Sequence, residues 1–218
     1  MASEQPAARL LDTISHTSAL SGMIGGMILG AVVGAVIVGA TIATGGAALA
    51  VVAAVGGAVA LSGGLGLAGQ ALGQTFSAPT GSIVAIGAPT VLINKRPAAR
   101  AIGDTGVCSK DGPAPVPIAQ GSGTVVILGL PAARKNDKMA CGATISSGSP
   151  DVVVGEKAVT YVPVASEVPA WLENLAVGMV YVGTAVSLGA GALAAFAAGG
   201  TCGLIAFGGQ TVGGLIGG

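Results

Sequence analysis

The tetrapeptide Pro-Ala-Ala-Arg occurs three times in this chain, at residues 6–9, 97–100 and 131–134. Each copy is followed within three or four residues by an aspartate, and each aspartate is followed four residues later by a side chain that can bind a metal. The aspartates are Asp12, Asp104 and Asp137, and the metal-competent residues are His16, Cys108 and Cys141. A pattern of this regularity indicates one supersecondary unit used three times.

Two of the three copies share an upstream β-type segment, because residues 88–100 align with residues 122–134. Residues 149–157 supply a third strand and turn that lacks its own tetrapeptide. The first copy, at residues 6–9, has no strand before it. We therefore predict that residues 6–16 complete the third repeat from a distance, that the apolar residues between are an insertion, and that an approximate three-fold axis results.

The side chains of His16, Cys108 and Cys141 are predicted to converge on this axis. One imidazole and two thiolates suit zinc, which prefers nitrogen and sulfur ligands. An ion there would stabilise a small domain with a modest core. The fourth ligand is open between water, Asp137 and an external group. A structural zinc is the favoured interpretation, and its alternatives are no metal and a catalytic zinc.

The arginines and aspartates of the repeat are predicted to form structural ion pairs. The three cysteines have no paired spacing, so a disulfide framework is not indicated. The remaining cysteine, Cys202, is predicted to be a small buried hydrophobe.

Charge is scarce and unevenly distributed along the 218 residues. Charged residues make up 8% of the chain, where soluble domains average about 25%. No Asp, Glu, Lys or Arg occurs in residues 17–94 or in residues 174–218. The net charge of zero and the 3% content of aromatic residues argue against a nucleic-acid-binding surface.

The uncharged segments are predicted to be helices that can enter a bilayer. Residues 21–44 are long enough to cross a hydrocarbon core, and Gly45-Gly46 would turn the chain into a second helix over residues 47–72. Glycines recur every fourth residue from Gly22 to Gly34, which puts them on one face where two helices can approach closely. The alternative is a set of buried helices in a soluble bundle.

A second apolar segment follows Trp171 and Glu173, which resemble an interfacial anchor at a helix start. Residues 175–198 could span a membrane, and Gly199-Gly200 is expected to break the helix. The run of apolar residues up to Gly218 leads us to expect that the natural protein continues. Residues 1–16 do not have the features of a secretory signal.

These patterns predict an α+β protein with a small all-β domain flanked by two apolar helical hairpins. The predicted parts are an N-terminal motif at 1–16, a first helical region at 17–74, a β-domain at 78–163 and a second helical region at 170–218.

Residues 97–100 and 131–134, with their strands and the Gly-Asp or Asn-Asp that follows, resemble the PAAR-repeat domain of type VI secretion. The segment Ala-Ala-Arg-Leu-Leu-Asp-Thr-Ile-Ser-His at residues 7–16 resembles the pre-PAAR motif, AARxxDxxxH, of effectors with transmembrane regions. The chain departs from the family at Cys141-Gly142-Ala143-Thr144, where relatives often carry a histidine.

The resemblance implies a cone-shaped β-domain that caps the trimeric valine-glycine-repeat spike, with the histidine of the N-terminal motif joining a zinc site. It implies that dimeric Eag-type chaperones bind the apolar helices in the producing cytoplasm. After secretion, the helices are expected to enter the recipient inner membrane and to help a C-terminal toxin across. Two helical regions around the β-domain favour the compact effector type over the type with a YD-repeat cocoon.

The predicted function is therefore effector delivery, without an enzyme in these residues. The alternative is a resident membrane or pore-forming protein with a soluble zinc-binding β-cap. A third interpretation, a zinc hydrolase, predicts turnover that is lost on His16→Ala.

Overall fold

The computed structural model describes residues 4–45, 48–84, 87–110, 112–155 and 157–216. The chain divides into two compact units. The β unit comprises Met1–Ser18 and Gln74–Glu167, and the helical unit comprises Ala19–Gly73 and Val168–Gly218. In chain order the elements are β1 (Gln5–Pro6), β2 (Thr13–Thr17), α1 (Ala19–Ala43), α2 (Ala48–Thr75), β3 (Ser77–Ile83), β4 (Ala88–Ile93), β5 (Arg96–Ala98), β6 (Thr105–Cys108), β7 (Gly112–Pro117), β8 (Gln120–Ser122), β9 (Val126–Ile127), β10 (Leu130–Pro131), β11 (Thr144–Ile145), β12 (Val153–Val154), β13 (Ala158–Thr160) and α3 (Ala170–Ile216).

The predicted α+β fold class is confirmed. The largest sheet of the β unit has five antiparallel strands in the order β11-β2-β3-β6-β7. Around it lie two-stranded pairs, which include the hairpins β4–β5 and β9–β10. The N-terminal strand β2 lies inside the large sheet, between β11 and β3.

The two hairpins turn on residues with positive φ. Asn94 and Lys95 have φ values of 51° and 64°, and Leu128 and Gly129 have values of 49° and 81°. Two-residue turns with positive φ at both positions match the twist of antiparallel strands. Ile93 pairs with Arg96 in the first hairpin, and Ile127 pairs with Leu130 in the second.

The third pair has the same arrangement but joins distant segments. Val154 of β12 pairs with Gln5 of β1, and Val153 pairs with Pro6. The N-terminal strand therefore occupies the place that the second strand of a hairpin occupies in the other two repeats. This confirms the prediction that residues 6–16 complete the third repeat.

The three repeats close into a ring through their second alanines. The N–H of Ala8 donates to the carbonyl of Ala133, that of Ala133 to Ala99, and that of Ala99 to Ala8, each at 2.9 Å. We call this cycle the alanine ring. All three side chains are 1% exposed, so a methyl group fills the space available to each. The predicted three-fold relation is thus present in the backbone.

In the helical unit, α1 packs against α2 through the predicted glycine face. A methyl group added at Gly26 would collide with the carbonyl of Leu65, and one added at Gly30 would lie too close to Ser62. The Ser62 hydroxyl also donates to the carbonyl of Met27 at 2.8 Å. Small residues allow this approach of two helix backbones, and the predicted hairpin over α1 and α2 is confirmed.

The predicted break at Gly199-Gly200 is wrong, because α3 is one helix of 47 residues from Ala170 to Ile216. Glycine keeps its backbone N–H and costs a helix about 1 kcal/mol, which does not by itself end one. Among the residues that the structure describes, three helical segments are long and apolar enough to cross a membrane, namely Ala19–Ala43, Ala50–Thr75 and Ala170–Leu193.

Candidate functional site

Each Pro-Ala-Ala-Arg arginine of the β unit makes the same contacts with the aspartate of its own repeat. The arginine N–H and Nε donate to one carboxylate oxygen, and Nη2 donates to the other. The Nη2–Oδ1 distances are 3.1 Å for Arg9–Asp12, 3.0 Å for Arg100–Asp104 and 2.8 Å for Arg134–Asp137. The predicted structural ion pairs are confirmed.

The loop between each arginine and aspartate is strained in the same way in all three repeats. The second residue after the arginine has a positive φ, of 68° at Leu11, 70° at Ile102 and 71° at Asn136. Leucine and isoleucine rarely adopt this conformation, so the surrounding hydrogen bonds must hold it. Each guanidinium also donates to a glycine carbonyl, at Gly148, Gly87 or Gly155.

Two of these groups have shifted pKa values. The hydrogen bond with Asp104 raises the pKa of Arg100. Burial raises the pKa of Asp137, and its hydrogen bonds with Arg134 act in the opposite direction.

The structure brings two of the three predicted metal ligands together. Nε2 of His16 lies 3.9 Å from Sγ of Cys141. Two tetrahedral zinc ligands with ordinary Zn–N and Zn–S bonds are about 3.6 Å apart. The nitrogen and sulfur atoms are thus nearly spaced to share one ion, and their chemistry suits zinc.

The third predicted ligand, Cys108, is fully buried in the core of the β unit, where its thiol donates to Oγ1 of Thr80 at 3.3 Å. His16 pairs with Ala78 on one side of β3, and Cys108 pairs with Gly81 on the other. Their two partners on β3 are three residues apart in sequence. Within the described residues, no three His, Cys, Asp or Glu side chains are grouped closely enough to hold one ion.

A carboxylate that the sequence patterns did not single out completes the surroundings of His16. Oε1 of Glu167 accepts a hydrogen bond from Nδ1 of His16 at 2.8 Å. The backbone N–H of Thr17 donates to the same oxygen at 3.0 Å, and the Thr17 hydroxyl donates to Oε2. The available sequence signal was an acidic residue shortly before the second apolar segment.

The three repeats also present equivalent apolar side chains to solvent. Leu92, Val126 and Val153 are 59%, 60% and 56% exposed. Each is paired in register with the proline of a Pro-Ala-Ala-Arg copy, at Pro97, Pro131 and Pro6. We call these three residues the apolar triad. Their equal exposure follows from their equal places in the three repeats.

The ring of three Pro-Ala-Ala-Arg segments, with a distant N-terminal strand in the third position, defines a PAAR domain completed by a prePAAR motif. Comparison with known families agrees, because residues 73–147 match the PAAR motif and residues 1–89 match the class I prePAAR effector Rhs1 motif. The chain belongs to the PAAR-domain effectors of type VI secretion, in the prePAAR class with apolar helices, and corresponds to their N-terminal region.

The chain is similar to several curated toxins. It is 40% identical over 171 residues to "Double-stranded DNA deaminase toxin A" of Burkholderia cenocepacia, over 77% of this chain and 12% of that protein. It is 45% identical over 204 residues to "NAD(+)--protein-arginine ADP-ribosyltransferase Tre1" of Serratia proteamaculans, over 89% of this chain and 41% of that protein. It is 41% identical over 163 residues to "NAD(P)(+) glycohydrolase toxin Tse6" of Pseudomonas aeruginosa, over 69% of this chain and 37% of that protein. The chain therefore spans less than half the length of each of these relatives.

Proposed function

We propose that these residues are the delivery module of a toxin, in which the β unit caps a trimeric spike. The observation that supports this is the apolar triad on a closed three-fold ring. A trimer presents the same surface three times around its axis, so a partner with three equivalent apolar residues can contact each subunit alike. The trimeric valine-glycine-repeat spike is a partner of this symmetry.

The docking test is co-purification of the full chain with the spike from the producing cell. We expect the triple variant Leu92→Asp, Val126→Asp, Val153→Asp to lose the spike, because a buried unpaired charge at each contact is unfavourable. Val84→Asp is a matched control, since Val84 is 45% exposed on the β unit and lies outside the triad. Spike capture by the triple variant at the wild-type level would contradict the proposal.

The toxic activity itself is assigned to a domain outside these residues. The three relatives named above carry three different activities in their names, yet each shares a region with this chain at 40–45% identity. A shared region cannot account for different chemistries, so it has a common task. The experiment that tests this assignment expresses residues 1–218 alone in the compartment of the recipient cell where the toxin would act. We expect no toxic enzyme activity from these residues.

We propose that Eag-type chaperone dimers bind the apolar helices in the producing cell. After secretion, the helices enter the recipient inner membrane. Large apolar side chains are exposed along α1, including Val36 at 68% and Ile28 at 60%. Contiguous exposed apolar surface of this kind requires a protein partner or lipid. Fractionation of the producing cell tests this, since recovery of the chain solely in its membranes would favour the alternative of a resident or pore-forming membrane protein.

We assign a structural zinc ion to His16 and Cys141. The supporting observations are the 3.9 Å separation of Nε2 and Sγ and the carboxylate at Nδ1 of the same imidazole. Cys108 as a third ligand stays a prediction. Zinc content of the purified full chain, measured for wild type and His16→Ala, tests the site. Wild-type zinc content in His16→Ala would refute it, and turnover lost in that variant with the fold retained would favour a zinc hydrolase.

A further inference from the structure

The chain passes between its two units at three connections, which follow Ser18, Gly73 and Glu167. Within the β unit, hydrogen bonds join the segments that lie beside these connections. The N–H of Ser18 donates to the carbonyl of Phe76 at 2.9 Å. Thr17 donates to Glu167 through both its N–H and its hydroxyl. All three segments that lead to the apolar helices are thus held together at one place.

Glu167 is the centre of this arrangement, because its carboxylate also accepts the Nδ1–H of His16. The side chains of His16 and Glu167 are 4% and 13% exposed, so little water competes for this hydrogen bond. A carboxylate at Nδ1 fixes the tautomer in which Nε2 carries the lone pair, and it orients the ring. Here it turns Nε2 towards the Cys141 sulfur.

The loop that carries Cys141 packs on the same segment. The N–H of Ala165 donates to the carbonyl of Ala140 at 2.8 Å. A methyl group added at Gly142 would lie 2.6 Å from the carbonyl oxygen of Ala165 and 3.2 Å from Cγ of Glu167. Both sides of the His16–Cys141 pair therefore contact residues 165–167.

We propose that Glu167 is a positioning residue that couples metal binding at His16 and Cys141 to the hydrogen bonds among the three connecting segments. We call these segments of the β unit, which lie beside Ser18, Gly73 and Glu167, the junction. With an ion bound at Nε2, the Nδ1–H of His16 would be a stronger donor to Glu167, and this bond would hold Thr17 and the segment that leads to α3. Without the ion, the same hydrogen bonds would be weaker. This inference rests on the zinc site proposed above.

The experiment uses the full chain in detergent micelles and two readouts, zinc affinity by competition with a chromogenic chelator and amide hydrogen exchange. We expect Glu167→Gln to weaken zinc binding about 10–100-fold, the usual effect of removing a carboxylate behind a ligating histidine. In wild type, chelation should speed exchange in peptides over residues 13–18 and 163–168, and leave residues 88–98 unchanged. In Glu167→Gln, exchange in the first two peptides should be fast with or without zinc.

Two further variants separate positioning from general stability. Thr17→Val removes the hydroxyl donor and leaves the His16 contact, so it should speed exchange at the junction while zinc affinity stays within about two-fold of wild type. Glu4→Gln changes an exposed glutamate outside this network and should match wild type in both readouts. Far-UV circular dichroism confirms that each variant is folded.

The proposal is overturned if Glu167→Gln binds zinc as tightly as wild type, or if chelation leaves exchange at the junction unchanged. His16→Ala shows which claim has failed. If it loses zinc while Glu167→Gln does not, the ion site stands and the coupling is wrong. If wild type holds no zinc, both are wrong, and spike docking remains a separate measurement on the apolar triad.

Discussion

Arg96 donates from Nη1 to Oδ1 of Asp12 at 3.0 Å, which joins the β4–β5 hairpin to the N-terminal segment. Asp12 therefore accepts from two guanidinium groups, those of Arg9 and Arg96. The β1–β12 pair has no connecting turn, in contrast to the two hairpins. The added ion pair holds the N-terminal segment where the other repeats have a covalent link.

We expect Asp12→Ala to destabilise the β unit by about 3–5 kcal/mol, because it leaves the Arg9 guanidinium, 10% exposed, without its carboxylate. Arg96→Ala should cost about 1 kcal/mol, since the Arg96 side chain is 31% exposed. Chemical denaturation of the full chain in micelles, followed by circular dichroism, measures both. Lys110→Ala, at an exposed position, is the control. Equal losses for Asp12→Ala and Arg96→Ala would contradict this ranking.

Valine at any position of the alanine ring should destabilise the fold. Two added methyl groups at Ala8, Ala99 or Ala133 must enter a space in which each alanine is 1% exposed. Overpacking of this kind costs about 1–3 kcal/mol. The three variants should give similar shifts in denaturation midpoint because the sites are equivalent. Ala158→Val, on an exposed strand position, should leave the midpoint unchanged. A wild-type midpoint in any ring variant would refute the prediction.

Adjacent glycines in α1 should respond to alanine with opposite signs. Gly26 faces the Leu65 carbonyl, so Gly26→Ala pushes α1 and α2 apart and should lower the thermal midpoint in micelles. Gly25 has open space on its side, so Gly25→Ala should raise helix stability by about 1 kcal/mol. Thermal melting by circular dichroism compares the pair directly. Melting that changes in the same direction for both would mean that the helices do not cross at Gly26.

Hydrogen bonds from Asn94 and then Ser149 lower the pKa of Asp151. A lowered folded-state pKa gives stability that is present above the unfolded value and lost as pH falls through the folded value. We therefore expect Asn94→Ala to raise the pKa of Asp151 and to flatten the loss of stability below about pH 4. Asn174→Ala, at an exposed position of α3, should keep the wild-type slope.

The direct measurement is a carbon NMR titration of the Asp151 carboxyl. The alanine at position 94 also has to adopt a φ of 51°, which adds a cost that does not vary with pH. Only the pH slope therefore tests the hydrogen bond. An unchanged Asp151 titration in Asn94→Ala would refute it.

The repeat could be read from the sequence because each copy carries the same residues at nearly the same spacing. Residues 6–9 carry the motif without a strand before it, and residues 149–157 carry a strand without the motif. Together these two observations predicted the β1–β12 pair. The spacing of Cys108 from Asp104 equals that of His16 from Asp12. Cys108 as a third ligand stays a prediction, because the repeat does not encode the strand register along β3.

Glu167 and the length of α3 were missed for different physical reasons. A single carboxylate has no periodicity, and its role arises from a contact with His16 at a separation of 151 residues. Gly199-Gly200 was expected to end a helix because glycine has a poor helix propensity. That cost is about 1 kcal/mol per glycine, and it does not by itself end a helix whose neighbouring residues are helix formers.

The pairing of Gln5–Pro6 with Val153–Val154 sets an order of events during synthesis. Ribosomes add about 5–20 residues per second, so the first strand waits on the order of ten seconds for its partner to emerge. From the emergence of residue 75 until that of residue 154, α1 and α2 are outside the exit tunnel and attached to a half-built domain. A partner that binds these helices before the β unit closes therefore acts on the nascent chain.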